Sequence, residues 1–269
     1  MLRFLFPCLP YSPSTVEPMF EEQREAAQER GFETSLLSYE DLQQEDRLVV
    51  RPPALPEETL VLRGWMLKAR EYQDLLGLVE RRDWKMLTSM EDYARCHFMG
   101  GWLDRLEGLT PATVGLPFEE PLVTGLLANW GRVFVKDAVK SYSAEGLPIV
   151  SSWDELVALK AKMDLYRGEA ESDLFYRQVE DFRADTELRL FVVRDRVYHP
   201  TAPAEALELG RQVACRIDAP FYSVDVIQRG DGAWRVVELG DGQVSDLKEW
   251  SAQQLFEIWS QLSEAGVEG

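Results

Sequence analysis

The sequence predicts a mixed fold of α/β plus α+β type, in which an N-terminal α/β domain is followed by a domain with a largely antiparallel sheet. In the first part of the chain, short apolar runs alternate with helical patterns, which is typical of βαβ units with a parallel sheet. The second part contains an Asp231-Gly232 pair between two alternating apolar runs, a strong signal for a hairpin over residues 221–239. Segment 108–121 is rich in Pro, Gly and Thr, so we expect domains at residues 1–110 and 111–269.

In the first domain, alternating apolar residues predict a buried strand at residues 2–6. A helical pattern follows at residues 15–30, with Pro18 near its start and Gly31 directly after its end. The remaining elements are short strands at residues 32–37 and 48–50, and, after the apolar segment 61–65, helices at residues 68–81 and 90–97.

In the second domain, residues 133–136 read as a short strand, and Ser152 with Glu155 forms a capping box that opens a helix through about residue 166. Strands are predicted at residues 174–179 and 188–193, and helices at residues 204–215 and 246–264. The last helix is expected to bury an apolar stripe made of Leu247, Trp250, Leu255, Ile258, Trp259 and Leu262.

The composition excludes several classes of protein. A formal net charge of −18 disfavours a nucleic-acid binder, because phosphate contacts need clustered Lys and Arg. No apolar run approaches the roughly 20 residues of a membrane span. The cysteines, Cys8, Cys96 and Cys215, are odd in number and widely separated, which argues against a disulfide framework and predicts a cytoplasmic protein. The sequence does not indicate an oligomeric state.

Two acidic residues in the hairpin are candidates for a metal site. Counting outward from the turn places Gln228 opposite Arg235, Val226 opposite Val237 and Asp225 opposite Glu238. Opposed carboxylates repel, and a shared Mg²⁺ would cancel that repulsion. The alternatives are a solvated acidic pair, or a register slipped by one residue.

Candidate cations lie upstream of the hairpin. Lys136 ends an apolar strand and Lys140 follows four residues later, where a lysine can hold a phosphate or simply reach solvent. Arg189 lies within an apolar strand and must find a partner, either an acidic side chain such as Asp225 or Glu238, or a bound phosphate. The sequence has neither a P-loop nor a dinucleotide-binding fingerprint.

In order and spacing, this set of residues resembles the ATP-grasp superfamily. Glu180 and Glu187 are seven residues apart, and Asp225 and Glu238 are thirteen apart, as in that superfamily. The segments RGWML at 63–67 and VFVKDAVKS at 133–141, with Tyr93 and His97, further resemble the clade named for one conserved arginine and two lysines. The resemblance covers most of the chain and implies a pre-ATP-grasp α/β domain followed by an ATP-grasp domain.

The resemblance also implies roles for individual residues. Glu180 and Phe182 would receive the adenine end of ATP, and Glu187 would hold the ribose hydroxyls. The lysines of the clade would be Lys136 and Lys140, which contact the phosphates, and its arginine would be Arg63 or Arg189. Mg²⁺ would be bound by Asp225 and Glu238, with Asp241 as a further candidate ligand.

The activity implied by the resemblance is ADP-forming ligation of a carboxylate to an amine through an acyl phosphate, with ATP and Mg²⁺. Arg189 and Lys140 would neutralise the developing charge. Arg63 would clamp a substrate carboxylate, or else form a salt bridge at the end of its strand. His97 and His199 are expected to be structural or surface residues.

Two departures from the superfamily pattern leave other functions open. Many members carry an Asn two residues after the metal Glu and an Arg two residues before the metal Asp, where this chain has Gly240 and Ser223. Asp241 or Gln243 would then replace the Asn, and Arg189 the Arg. The alternatives are an ATP-binding module without turnover, and an interaction protein in which Asp225→Asn is silent or slightly stabilising because it relieves repulsion.

Overall fold

The computed structural model describes residues 1–137, 147–167 and 173–265, and contains three β-sheets with helices packed around them. The elements of the N-terminal part are β1 (Leu2–Leu9), β2 (Ser12–Val16), α1 (Glu21–Glu29), β3 (Glu33–Leu37), α2 (Tyr39–Glu45), β4 (Val50–Arg51), β5 (Thr59–Leu62), α3 (Ala69–Glu80), β6 (Lys85–Met86), α4 (Met90–His97) and α5 (Met99–Trp102).

The first sheet has the order β4-β3-β1-β5-β6. Strand β2 pairs with the C-terminal end of β1, at Cys8 and Leu9. Strand β1 runs parallel to both β3 and β5, as the βαβ rhythm predicts. Parallel neighbours need crossover connections, and α1 and α3 supply helices between successive strands of this sheet.

The predicted helix at residues 15–30 is wrong at residues 15–17, which are extended. Residues Ser12–Val16 form β2, which pairs antiparallel with β1 and buries Val16 beside Cys8. A residue before proline is driven out of the helical region, and Glu17, which precedes Pro18, has φ −62° and ψ 135°. A short 3₁₀ helix therefore begins at Pro18 and leads into α1 at Glu21.

The second sheet has the order β7-β10-β8-β9 and is antiparallel throughout. The segment predicted as a connection, 108–121, contributes its edge strand, because an edge position tolerates Gly115 and Pro117. Its elements are β7 (Thr113–Pro117), α6 (Glu120–Trp130), β8 (Val133–Lys136), β9 (Ile149–Val150), α7 (Trp153–Arg167) and β10 (Asp173–Gln178).

The predicted capping box of α7 is present in part. Ser152 Oγ accepts the Glu155 N–H at 3.2 Å, as expected. The Glu155 carboxylate accepts from the backbone and hydroxyl of Ser151 instead of returning to Ser152.

The third sheet has the order β12-β11-β13-β14 and is also antiparallel. Together the three sheets confirm the mixed α/β and α+β fold predicted from the sequence. The boundary at residues 110 and 111 stays a prediction. The elements of this part are β11 (Leu188–Val193), β12 (Arg196–Tyr198), α8 (Ala204–Ala214), β13 (Phe221–Gln228), β14 (Trp234–Asp241) and α9 (Ala252–Ala265).

The hairpin β13–β14 has the predicted register at Asp225 and Glu238 but not nearer the turn. Val226 pairs with Val236, and Ile227 pairs with Arg235, one residue off the counted register. A β-bulge shifts the register between the pair Asp225–Glu238 and the pair Val226–Val236, so Val237 is the extra residue on β14. The bulge is what restores Glu238 to its place opposite Asp225.

The last helix begins six residues later than predicted, because Ser251 caps it. Ser251 Oγ accepts the Gln254 N–H at 3.1 Å, and the Gln254 side chain accepts the Ser251 N–H at 2.9 Å. Helix α9 then packs against the first sheet, with Phe256 and Trp259 edge-on to Phe4 at ring-centroid distances of 4.9 and 5.5 Å. No helix within the described residues is long and apolar enough to cross a membrane.

Candidate functional site

Asp225 and Glu238 face each other across β13 and β14 and line a cavity of about 780 Å³. The cavity lies between the third sheet and the N-terminal part, which contributes Phe20, Arg63 and Trp65 to its wall. Asp225 is buried, whereas Glu238 is partly exposed. The structure therefore brings together the two carboxylates that the sequence predicts as metal ligands.

Asp225 is held by two cations. Arg189, directly opposite on β11, donates from Nε and Nη2 to the two carboxylate oxygens, at 2.8 Å each. Lys248 Nζ lies 2.9 Å from Oδ2. Burial opposes ionisation of Asp225, but the hydrogen bonds and charge of Arg189, followed by those of Lys248, hold the pKa of this carboxyl below its usual value.

Arg189 is largely satisfied within the protein. Besides Asp225, its Nη1 donates to the side chain of Asp246 and, at 3.0 Å, to the Asp246 carbonyl. The sequence allows either an acidic side chain or a bound phosphate as the partner of Arg189, and in the structure the partner is the acidic side chain of Asp225. The guanidinium thus fixes the position of Asp225 and lines the same cavity.

Lys248 was missed in the sequence analysis. Its ammonium bridges Asp225 and Glu187, with a 2.6 Å bond to Glu187 Oε1. Its backbone has φ 47°, a left-handed conformation that lysine rarely adopts. No motif marks this position, because it lies in the irregular segment between β14 and α9.

Lys136 ends β8 and points at the second metal candidate. Its ammonium lies 3.0 Å from Glu238 Oε2 and 3.4 Å from the Val237 carbonyl. Burial lowers the pKa of Lys136, partly offset by the charge of Glu238. Lys140, the second predicted lysine, lies outside the described residues.

The two glutamates of the seven-residue spacing line different cavities. Glu187 lines the 780 Å³ cavity. Glu180 lies in a second cavity of about 600 Å³, beside Arg235, whose Nε is 3.1 Å from Glu180 Oε2. Phe182, half-buried, forms an isolated β-bridge with Arg229, whose Nη1 lies 3.4 Å from Glu180 Oε2.

Arg63 is buried and binds polar groups that carry no formal charge. Its Nε and Nη2 donate to Gln23 Oε1 at 3.0 and 2.8 Å, Nη2 donates to the Ser245 carbonyl at 3.0 Å, and Nη1 donates to the Gly242 carbonyl. Burial lowers the pKa of Arg63 to about 10. Within the described part of the chain it forms no salt bridge, so the guanidinium ties β5 to the segment after β14 and lines the cavity.

Asp241 also lines the 780 Å³ cavity, but it lies on the other face of the hairpin from the two carboxylates predicted to bind Mg²⁺. It lies opposite Tyr222, and alternation along the strands places it on the other face of the hairpin from Asp225 and Glu238. Its Oδ2 accepts from Gln243, and its Oδ1 is buried without a hydrogen-bond partner among the residues that the structure describes. Among residues 1–137, 147–167 and 173–265, no three His, Cys, Asp or Glu side chains cluster closely enough to hold a metal.

The positions of the usual Asn and Arg are filled by small residues that contact each other. Ser223 lies opposite Gly240, and its hydroxyl is 2.7 Å from that of Ser245. A Cβ at Gly240 would meet these two hydroxyls at 2.9 and 2.8 Å. Gln243, the other proposed substitute, is buried and binds the Leu62 N–H and the Tyr72 hydroxyl.

The two histidines contact aromatic or acidic side chains, and His97 also lines the 780 Å³ cavity. His97 stacks on Tyr93 with ring centroids 4.7 Å apart. His199 Nε2 lies 2.9 Å from Glu249 Oε1, which also accepts the Arg189 N–H.

The donor set fits a magnesium-bound polyphosphate. Asp225 and Glu238 offer the hard carboxylate oxygens that Mg²⁺ prefers, and each is now paired with an ammonium group, which shows that this spot accommodates positive charge. Lysine ammonium groups also bind phosphate as point charges. Lys136 and Lys248 are therefore suited to the phosphates of such a ligand.

Comparison with known proteins assigns this arrangement to a family. The matching family model describes an ATP-grasp domain, family 3 of the clade named for one arginine and two lysines, and it covers residues 14–262. No curated protein matches the sequence.

Solved structures resemble the chain over nearly its whole length at low identity. D-cycloserine synthetase DcsG has a TM-score of 0.66 at 16% identity, covering 97% of this chain and 99% of its own. D-alanine–D-alanine ligase from Bacillus anthracis has a TM-score of 0.60 at 15% identity, covering 100% and 99%. The ATP-grasp ligase PsnB complexed with minimal precursor has a TM-score of 0.62 at 13% identity, covering 95% and 97%. At such identities the likeness shows the fold.

Proposed function

The chain belongs to family 3 of the ATP-grasp clade named for one arginine and two lysines, and from this premise we propose that it is an ADP-forming carboxylate–amine ligase that uses ATP and Mg²⁺. The observation that carries the proposal is the opposed pair Asp225 and Glu238, which lines one cavity together with Arg189 and Lys248. The resemblance in fold to D-alanine–D-alanine ligase and to an ATP-grasp ligase complexed with a minimal precursor supports this reaction class. The cytoplasmic location predicted from the cysteines fits the use of ATP.

In the proposed reaction, a substrate carboxylate oxygen attacks the γ-phosphorus of ATP and ADP leaves. An amine then attacks the acyl phosphate carbon and inorganic phosphate leaves. Mg²⁺ bound by Asp225 and Glu238 would screen the charge on the phosphate oxygens. No protein nucleophile is needed, which agrees with a cavity lined by charged groups that bind and orient.

The contacts of individual residues indicate a role for each of them in this reaction. Arg189 keeps the carboxylate of Asp225 ionised and aimed across the hairpin at Glu238. Lys136 and Lys248 neutralise phosphate charge, each moving only from a neighbouring carboxylate to the ligand. Arg63 ties the N-terminal wall of the cavity to the segment after β14 and is the candidate to orient a substrate carboxylate. Glu180, Phe182 and Glu187 are the candidates for the nucleoside end, and Lys140 for a further phosphate contact.

The second candidate function is ATP binding without turnover. It is favoured by one observation, the contact of Ser223, Gly240 and Ser245 where many ATP-grasp enzymes have an Arg and an Asn. Release of ADP in the presence of a carboxylate and an amine separates the two functions, since a module without turnover releases none.

A thermal-shift titration with ATP, with and without Mg²⁺, tests the proposal on the wild type and on Asp225→Asn. A ligand that binds only the native protein stabilises it by roughly 2.7 kcal/mol at one hundred times its dissociation constant. We expect a Mg²⁺-dependent rise in Tm for the wild type that is lost in Asp225→Asn. The absence of any shift at millimolar Mg-ATP in the wild type would overturn the proposal.

The baseline of Asp225→Asn needs its own control. Because Arg189 and Lys248 compensate Asp225, the substitution removes attraction instead of relieving repulsion, and we expect it to lower Tm without ligand. The silent or slightly stabilising change expected of an interaction protein rested on repulsion at Asp225, which these two cations offset. Asp164→Asn removes a carboxylate paired with Lys160 on the surface of α7, and should leave the response to Mg-ATP intact.

A further inference from the structure

Arg177 is a buried cation that none of the roles described above uses. It lies on β10 opposite Phe134, and Lys136 lies two residues along the neighbouring strand β8. Because side chains alternate between the faces of a sheet, Arg177 and Lys136 lie on the same face. Both are largely removed from solvent, with exposed fractions of 5% and 2%.

The two cations converge on one carbonyl group. Arg177 Nη1 donates to the Val237 oxygen at 2.6 Å, and Lys136 Nζ lies 3.4 Å from the same oxygen. Val237 is the bulged residue of β14, directly before Glu238. Arg177 Nε donates to Thr113 Oγ1 at 3.1 Å, which holds the guanidinium in place against β7.

Arg177 is short of partners for its charge. Within the described part of the chain it forms no ion pair, and its Nη2 is buried without any hydrogen-bond acceptor. Burial lowers the pKa of Arg177 to about 10, even though the charges of Glu238 and Glu180 favour its protonated form. Burying an unpaired donor on a charged group is unfavourable, so the stability of the fold does not explain this residue.

We propose that Arg177 binds phosphate oxygens of the nucleotide, together with Lys136. The inference rests on the proposed function for the identity of the nucleotide. An arginine fork matches two oxygens of a phosphate, and Nη2 is the donor that remains for such a contact. The ligand class is thus a polyphosphate anion, recognised by two buried cations.

The experiment measures binding of tripolyphosphate, ATP, ADP, AMP and adenosine by calorimetry, once without Mg²⁺ and once at a fixed Mg²⁺ concentration. The proteins are the wild type, Arg177→Met and Arg177→Lys. Arg82→Met is the control, because Arg82 is an exposed arginine that donates to the backbone carbonyls of Leu78 and Leu48, away from the cavities. Thermal unfolding without ligand checks that each variant is folded.

We expect Arg177→Met to weaken ATP and tripolyphosphate by at least about tenfold, since a hydrogen bond to a charged group is lost. The loss of affinity in Arg177→Met should be smaller for ADP and AMP than for ATP, and absent for adenosine. Arg177→Lys should recover part of the lost affinity. Arg82→Met should bind every ligand like the wild type. Equal weakening of adenosine and ATP would overturn the inference. So would a loss confined to the Mg²⁺ dependence, because Arg177 would then only hold the bulge at Val237.

The same titrations separate this inference from the proposed function. If the wild type binds ATP and Arg177→Met binds it equally well, the inference fails and the proposed function stands. If the wild type binds tripolyphosphate through Arg177 but does not bind ATP, the anion site stands and the proposed function fails. If the wild type binds neither, both fail.

Discussion

Arg189 and Asp225 lie directly opposite one another on β11 and β13, and the guanidinium holds both oxygens of the carboxylate at 2.8 Å. Two-point contact of this kind fixes the direction of a carboxylate as well as its charge. It also explains how Asp225 stays ionised although it is buried opposite another acid. The pair therefore prepares the hairpin to receive a cation.

Removing one member of this pair should be costly. We expect Arg189→Met to lower the free energy of unfolding by about 3–5 kcal/mol, because it removes the two-point partner of a buried carboxylate and leaves it the single contact with Lys248 among the described residues. Urea unfolding followed by fluorescence measures the change. Arg211→Met, at an exposed ion pair on α8, should change stability by less than about 1 kcal/mol. Similar losses in the two variants would mean that the buried pair contributes little.

The spacing of residues along the chain predicted the central pair but not everything around it. Asp225 and Glu238 could be placed opposite each other because a hairpin pairs residues by counting from its turn. The bulge at Val237 could not be predicted, since its Val-Val-Glu context has no glycine or other mark, and the residues near the turn were therefore misaligned.

The cations were harder to find than the acids. Lys248 reaches the site from an irregular segment, and Arg177 reaches it from a strand of another sheet, so neither has a fixed spacing to the carboxylates. The start of α9 was predictable in principle, because Ser251 and Gln254 form a capping box. The apolar stripe predicted for this helix was extended upstream to Leu247, and the capping box was therefore overlooked.

A side chain added at Gly240 should destabilise the protein. A Cβ there would lie 2.8 Å from Ser245 Oγ and 2.9 Å from Ser223 Oγ, and would break the hydrogen bond between the two hydroxyls. We expect Gly240→Ala to lower the free energy of unfolding by about 1–3 kcal/mol. In a Ser223→Ala, Ser245→Ala background the same substitution should cost markedly less, because both hydroxyls are gone. Equal costs in the two backgrounds, measured by urea unfolding, would show that another contact fills the space.

The last helix should be required for the N-terminal sheet to fold. Phe256 of α9 is fully buried and packs edge-on against Phe4 of β1. We expect Phe256→Ala to lower the free energy of unfolding by about 3–5 kcal/mol, the usual cost of a large cavity in a core. Urea unfolding with circular dichroism as the probe measures this, and Phe118→Ala, at a partly buried ring beside Trp153, serves as a milder comparison.

The same packing bears on the domain boundary at residues 110 and 111. A fragment of residues 1–110 would expose Phe4 and Phe6, which α9 covers in the whole chain. We expect this fragment alone to lack a cooperative unfolding transition. A fragment that unfolds cooperatively would show that the N-terminal region is an independent domain in spite of this shared core.

Asp241 should make the stability of the protein depend on pH near neutrality. Burial raises the pKa of its carboxyl to about 7, against a hydrogen bond from Gln243 that lowers it. An aspartate in an unfolded chain titrates at about 3.9. Between these two values the folded protein holds a proton that the unfolded chain has lost, so the free energy of unfolding falls as pH rises through this window and levels off above it.

Asp241→Asn cannot titrate and isolates this effect. Relative to the wild type, we expect the variant to gain roughly 1.4 kcal/mol of stability for each pH unit between about 4 and about 7. Urea unfolding of both proteins at pH 4.5, 6 and 8 measures the difference, and Asp164→Asn should run parallel to the wild type because that carboxylate is on the surface. A difference between Asp241→Asn and the wild type that does not change with pH would mean that the buried carboxyl is already ionised in the folded protein. In that case the charge of Arg63, which favours ionisation, outweighs the burial.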